Sequence, residues 1–249
     1  MIIDLSKINF GGGGGSKIKV QDVKVVTQNV DSSGAYDFQP DEGYDAMKAV
    51  KANLTIPSTP VQTVDLDTGI SFAYSRFTTL PFNITGGGNR TDFDYIFSNC
   101  RKMDYIDLSQ INTSKAERFF NSFSQSLFKT LDVSNFDTSN AIMMSSMFFY
   151  TSLITSLDLS NFNTSNVLRC DNMFAKMYSM TTLDIRNFDL TNANNTGSMF
   201  SFCDSLTTVK VINCNEATKN KILTQLQTDM SSYTWTLGDD GIIRRSETT

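Results

Sequence analysis

The chain contains no histidine. That absence removes the side chain that most often titrates near neutrality, and with it the Ser-His and Cys-His couples and most catalytic zinc sites. The expectation is a protein that is not an enzyme and takes no cofactor. Cysteine is sparse: Cys100, Cys170, Cys203 and Cys214 fall in no CxxC or zinc spacing, so they read as buried thiols, with neither a disulfide nor a metal expected. Long apolar runs are missing too. No window reaches the roughly 20 apolar residues of a membrane span, and MIIDLSKINF has no basic segment leading into an apolar core, so the chain is expected to be made in the cytoplasm without membrane insertion. Positive charge is in deficit, with 21 Lys and Arg against 26 Asp and Glu for a net charge of −5. An electrostatic grip on nucleic acid or anionic lipid is therefore not expected, and the balance favours protein or glycan partners.

What is present is a repeat. At 249 residues and 40% hydrophobic, the chain can bury a sizeable core. Rows begun at Leu80, Ile106, Leu131, Leu157, Leu183 and Val209 are separated by 26, 25, 26, 26 and 26 residues, a fixed period that marks a repeat architecture. LDVSNFDTSN from Leu131, LDLSNFNTSN from Leu157 and LDIRNFDLTN from Leu183 are the clearest copies. Each row opens with apolar residues two apart (Leu80 and Phe82, Ile106 and Leu108, Leu131 and Val133, Leu157 and Leu159, Leu183 and Ile185, Val209 and Val211). That period predicts a short strand with one buried face. Ile111, Phe136, Phe162, Phe188 and Cys214 return inward three residues later. A phenylalanine column (Phe97, Phe123, Phe148, Phe174, Phe200) and a column of Met103, Phe128, Ile154, Met180 and Leu206 complete the expected core. No row can bury these residues alone, so rows must stack.

The polar positions are as regular. Asn135, Asn161 and Asn187, and the pairs Ser139-Asn140, Ser165-Asn166 and Thr191-Asn192, suit turns whose side chains bond nearby backbone. Asp107, Asp132, Asp158 and Asp184 hold the second strand position, where side chains point outward and like charges in a column oppose stacking. With Ser109, Ser134, Ser160 and Arg186 two places on, they form the candidate binding stripe for cations, sugar hydroxyls or a basic partner. The competing and favoured reading is a solvated ladder bonded to hydroxyls such as Thr130, Ser156 and Thr182. Gly86-Gly87-Gly88 lacks the Gly-Lys-Ser/Thr of a phosphate loop and reads as a loop tolerant of insertion. No carboxylate pair sits in an identifiable cleft.

The pattern L-D-L-S-N-F-D-T-S-N, with Met147-Phe148, Met173-Phe174 and Met199-Phe200, resembles the BspA-like leucine-rich repeats of bacterial surface proteins. Cys100 and Cys203 sit where that family often has cysteine. The resemblance spans residues 80–212 and implies a leucine-rich-repeat solenoid used in surface display and adhesion.

The flanks differ from the repeat. Asn215 can cap a helix over residues 216–229 with Ala217, Ile222, Leu223, Leu226 and Met230 on its inner side, and YTWTL and GIIRR around residues 238–241 read as a hairpin. Trp235 reads as a packing anchor of this cap. At the front, Met1, Ile2, Ile3, Leu5, Ile8 and Phe10 form an apolar anchoring peptide, and Gly11, Gly12, Gly13, Gly14 and Gly15 form a hinge behind it. A strand, a turn, a turn into a short helix (residues 40–51) and an extended stretch follow, too few residues for an independent core, so assembly is expected. In residues 26–57, Thr27, Asn29, Tyr36, Pro40, Glu42, Gly43, Tyr44, Asp45 and Pro57 resemble an element of virion proteins of tailed, crAss-like phages of gut bacteria, while residues 30–33 depart from it. The same element occurs in bacterial surface proteins.

The expected fold is mainly β with short helices: an anchoring peptide and hinge (1–15), a small β-rich assembly domain and linker (16–79), a leucine-rich-repeat solenoid of about five 26-residue coils (80–208), and a strand, helix and hairpin cap (209–249). The expected role is a head or tail fibre of a tailed bacteriophage, located in the virion. Its N-terminal segment would bind capsid or tail proteins, its copies would form a homotrimer, and it would face a bacterial surface or glycan receptor. A bacterial surface adhesin is the alternative.

Overall fold

The computed structural model describes residues 63–68, 71–75 and 83–246. The anchoring side chains from Met1 to Phe10, the glycine hinge, the assembly domain up to residue 62, and the row anchors Leu80 and Phe82 lie outside them.

Within the described residues the protein is mainly β with one α-helix. Strands β1 (Thr63–Asp65) and β2 (Asn83–Thr85) pair in parallel, with Thr63 opposite Asn83. A second, open sheet has the order β3-β4-β5-β7-β6. In it β3 (Ser156–Asp158), β4 (Thr182–Asp184) and β5 (Thr208–Lys210) are parallel, each the start of a 26-residue row. Strand β7 (Ile242–Ser246) turns antiparallel against β5, and β6 (Thr234–Leu237) pairs with β7. The hairpin expected at the C-terminal end thus covers what would be the open edge of β5. The rows from Ile106 and Leu131 keep the same burial alternation without regular strand pairing. The Leu108 carbonyl there accepts the Asn135 side-chain amide at 2.9 Å.

The opposite side of each row carries the more extensive ladder. Alternate backbone N–H groups of Phe93, Tyr95, Phe97 and Asn99 donate to the carbonyls of Arg118, Phe120, Ser122 and Ser124 at 2.7–2.9 Å. The same run recurs from Phe119, Asn121, Phe123 and Gln125 into the next row, and again from Met144 and from Cys170. Overlapping turns produce this alternation, which requires left-handed backbone at two positions per row. Tyr95, Asn121, Ser146, Asn172 and Ser198 take one, and Asn99, Gln125, Tyr150, Lys176 and Phe202 the other, at φ of 55–61°. Asparagine tolerates that region; an aromatic residue pays about 1–2 kcal/mol for it.

One apolar core runs from Leu66 to Ile243. Every residue of the expected phenylalanine column is fully buried, and the rings stack with centroids 5.5–6.0 Å apart. Phe72, assigned to the linker by sequence, adds a further ring 5.7 Å from Phe97, and the N–H groups of Phe72 and Tyr74 donate to Ile96 and Ser98. Residues 71–75 therefore share the core of the rows that follow. The four cysteines are buried free thiols. Burial pushes Cys100, Cys170 and Cys203 up to about 12 and Cys214 up to about 11, so none is a ready nucleophile. Cys100, Cys203 and Cys214 donate to carbonyls of the preceding row instead.

Helix α1 (Glu216–Asp229) begins at Asn215, whose side chain accepts the Thr218 N–H at 2.8 Å. Its inner face corrects the expectation at one position. Ala217 is exposed and Thr218 is buried, because the Thr218 hydroxyl accepts the Leu190 N–H at 2.8 Å. Trp235 is buried at 2% exposure and anchors the cap, with no hydrogen-bond partner for its Nε1 among the described residues. Gly86 and Gly87 also correct the expectation of an insertion-tolerant loop. Both have positive φ, and a Cβ on Gly87 would lie 2.7 Å from the Asn112 carbonyl oxygen, so the backbone there is tightly enclosed.

At the last row, Asp229 takes over from the missing next row. In earlier rows the Phe148 and Phe174 N–H groups donate to a following carbonyl; the Phe200 N–H donates to Asp229 Oδ2 at 2.8 Å. Burial raises the Asp229 pKa above the ordinary value, against the Phe200 N–H and the Gln225 amide that favour the charge. A carboxyl with a raised folded pKa contributes stability that is fully present below the unfolded value near 4 and is lost as pH rises from there through the folded one. Asp229→Asn keeps an acceptor without the charge and is expected to melt at or above the wild type at pH 7. Asp229→Ala leaves Phe200 unpaired and should lose about 1–2 kcal/mol, both read by thermal denaturation.

Candidate functional site

The outward stripe is built as turns. Asp107, Asp132 and Asp158 are exposed, and each Oδ1 accepts the backbone N–H two residues on, at Ser109, Ser134 and Ser160, at 2.9 Å. Such a carboxylate closes an Asx turn where the chain leaves the strand. The Ser109 N–H and hydroxyl hold Asp107 below the ordinary carboxylate range, and the Ser134 hydroxyl and N–H do so for Asp132. The partners are thus the following serines rather than Thr130, Ser156 and Thr182.

Asp184 corrects the picture of a uniform outward column: it is only 4% exposed. Strand register sets it beside Asp158 on one side and Lys210 on the other. Arg186 wraps it with Nε at 2.9 Å and a second contact from Nη2, and Lys210 Nζ lies at 3.3 Å. Lys210 was not among the expected site residues, although it holds the second strand position of the row from Val209. Burial pushes the Asp184 pKa up, but the Arg186 side chain and N–H and Lys210 outweigh it, leaving the group below the ordinary value. A depressed carboxyl pKa contributes stability that is present above the unfolded value near 4 and lost as pH falls through the folded one. Asp184→Asn should cost about 1–2 kcal/mol at pH 7, allowing for the partly exposed partners. The difference from wild type should shrink below pH ~4 in urea titrations run across that range.

The expected asparagine ladder bonds across rows rather than to nearby backbone. Asn161 Nδ2 donates to the Val133 and Phe136 carbonyls at 3.0 Å each, and Asn140, Asn166 and Asn192 reach the carbonyls of Ser114, Ser139 and Ser165 at 2.7–2.8 Å. These side chains are spent on stacking and leave little donor capacity for a ligand.

A second surface carries aromatic side chains that sequence reasoning missed. Phe202 is 58% exposed and Tyr178 37%. Tyr150 meets Tyr178 edge-on at 5.6 Å, and the Lys176 ammonium lies 5.2 Å from the Phe149 ring centre and 6.0 Å from that of Phe202. The signal was positional: Tyr150, Lys176 and Phe202 each lie two residues after a buried column phenylalanine, at the left-handed turn position. Phe202 opens onto a concavity of about 280 Å³ between the last row and the cap, together with Ser201, Asp204, Asp229 and Tyr233. Among the described residues no group of His, Cys, Asp and Glu is arranged to hold a metal, and no helix is long and apolar enough to cross a membrane.

Residues 91–213 match the model of a family described as Mycoplasma protein of unknown function, DUF285. The match covers just under half of the chain. No curated protein and no solved structure matches.

Proposed function

We propose that the stacked rows are a leucine-rich-repeat solenoid and that the chain is a non-enzymatic structural virion protein of a tailed bacteriophage, a head or tail fibre that displays this solenoid for attachment or decoration. The observation that carries the display role is the division of labour within each row. Apolar columns are buried from row to row, cross-row hydrogen bonds use the backbone and the asparagine and threonine columns, and other polar side chains face solvent in repeating columns. Such a body offers a broad surface of repeated side chains. The assignment to a virion rests on the resemblance in residues 26–57 and on the apolar peptide and glycine hinge before it. In this reading residues 1–15 bind a capsid or tail protein, residues 16–79 assemble copies as a homotrimer, and the rows face a bacterial surface or glycan receptor.

Mass spectrometry of purified particles tests the assignment. The chain is expected among the virion proteins, and deletion of residues 1–15 is expected to abolish incorporation while leaving the thermal transition of the rows unchanged. Absence from particles together with presence in a bacterial envelope fraction would overturn it. A bacterial cell-surface adhesin is the second reading, favoured by the match to a family described from Mycoplasma.

A further inference from the structure

The concavity at the junction of the last row and the cap holds an aromatic side chain that the fold does not need. Phe202 is more than half exposed and sits at φ 61°. Both features oppose stability, since an exposed ring gains little from burial and a bulky residue is strained in the left-handed region. The equivalent position is Asn99, Gln125, Tyr150 and Lys176 in earlier rows, and the one other aromatic among them, Tyr150, is half-buried. Around the ring the polar groups are held in place. Arg245 lies 4.2 Å from the centre of the Tyr233 ring and donates to the Asp204 carbonyl at 2.7 Å, fixing the loop that carries Asp204. The exposed Asp204 carboxylate has no hydrogen bond or ion pair among the described residues, and its charge acts on the neighbouring Tyr178 phenol.

We infer that this concavity is a subsite for a neutral saccharide, with a pyranose ring lying on the Phe202 face and its hydroxyls bonded by Asp204 and Ser201. Three observations select this ligand chemistry. The charged residues lining the concavity are Asp204 and Asp229, with Lys176 and Arg245 outside the lining against the Phe202 and Tyr233 rings, so no cation lines it to hold an anionic ligand. An aromatic face bordered by a carboxylate and a hydroxyl matches a sugar ring, which is apolar on its C–H face and polar around its rim. The volume of about 280 Å³ lies just below the range of drug-sized pockets, room for one or two sugar rings. A folded protein partner would instead need roughly 800 Å² of matching surface on this side.

The site deepens the display reading and rests on it only for its biological use. Its test is calorimetric titration of the full chain with maltohexaose, cellohexaose, chitohexaose and mannohexaose. At least one should bind. Phe202→Asn, which keeps the turn preference and removes the ring, should weaken that binding at least tenfold, and Asp204→Asn severalfold. Phe202→Asn should melt at or above the wild type and Asp204→Asn with it, and Ile142→Ser, an exposed residue of another row, should bind as wild type. Failure of all four sugars to bind overturns the subsite, as does binding unaffected by Phe202→Asn or capture of a purified polypeptide through Phe202 with no sugar bound. A chain absent from particles that still binds sugar through Phe202 overturns only the virion assignment. A chain present in particles that binds no sugar overturns only the subsite.

Discussion

Phe148→Ala is expected to destabilise the protein by about 3–5 kcal/mol. The ring is fully buried, with Phe123 at 5.7 Å on one side and Phe174 at 6.0 Å on the other, each within 3° of parallel. Truncation removes one burial term and two stacking contacts of about 0.5–1.5 kcal/mol each. Collapse cannot refill the space, because the neighbouring backbones are tied at fixed spacing by the Phe123 N–H to Met147 and the Phe148 N–H to Met173 hydrogen bonds, at 2.9 and 3.0 Å. Phe200 ends the column with one stacked neighbour, Phe174 at 5.8 Å, so Phe200→Ala should cost less. Urea denaturation monitored by circular dichroism reads both. An equal loss at the two positions would mean that ring stacking adds nothing to burial.

The apolar half of this architecture was legible because it is periodic. Leu157 and Leu159, Leu183 and Ile185, the phenylalanine column and the helix from Asn215 all lie where spacing placed them, and burial by row stacking is the only way to satisfy so many apolar residues at one period. Polar positions were harder to read, because a hydroxyl or amide at a given spacing can bond its own turn, the next row or water. Asn161 chose the preceding row, and Asp132 its own turn. Asp184 looked like its three counterparts and is buried because Arg186 of its own turn and Lys210 of the following row close over it. The enclosed backbone at Gly87 was hidden for a similar reason: its crowding comes from Asn112 in the following row. The half-buried Tyr150 and the exposed Phe202 were hidden in a different way. Tyr150 and Phe202 follow buried phenylalanines so closely that period alone cannot say which ring turns inward.

Thr138→Val is expected to cost about 1–3 kcal/mol, although the two side chains have nearly the same shape. The Thr138 hydroxyl is 1% exposed and does two things at once: it donates to the Asn163 carbonyl at 3.0 Å and accepts the Asn163 N–H at 2.8 Å. One hydroxyl thereby satisfies both backbone groups of a residue in the next row. Thr113 does the same for Asp137, and Thr164 for Asp189. Valine would leave the N–H and carbonyl of the exposed Asn163 without their partner at a part-buried contact, at about 1–3 kcal/mol for the pair, with only a methyl in return. Thr138→Ser keeps the hydroxyl and loses a methyl, so it should cost about 1 kcal/mol. The order wild type, serine, valine in urea midpoints would show that hydroxyls as well as apolar contacts set the row spacing. Equal midpoints for serine and valine would leave the spacing to the apolar columns alone. Leu190 stands at the threonine position of its row and brings no hydroxyl; the residue it would serve, Asn215, opens α1 instead, and its carbonyl accepts the Lys219 N–H at 3.0 Å.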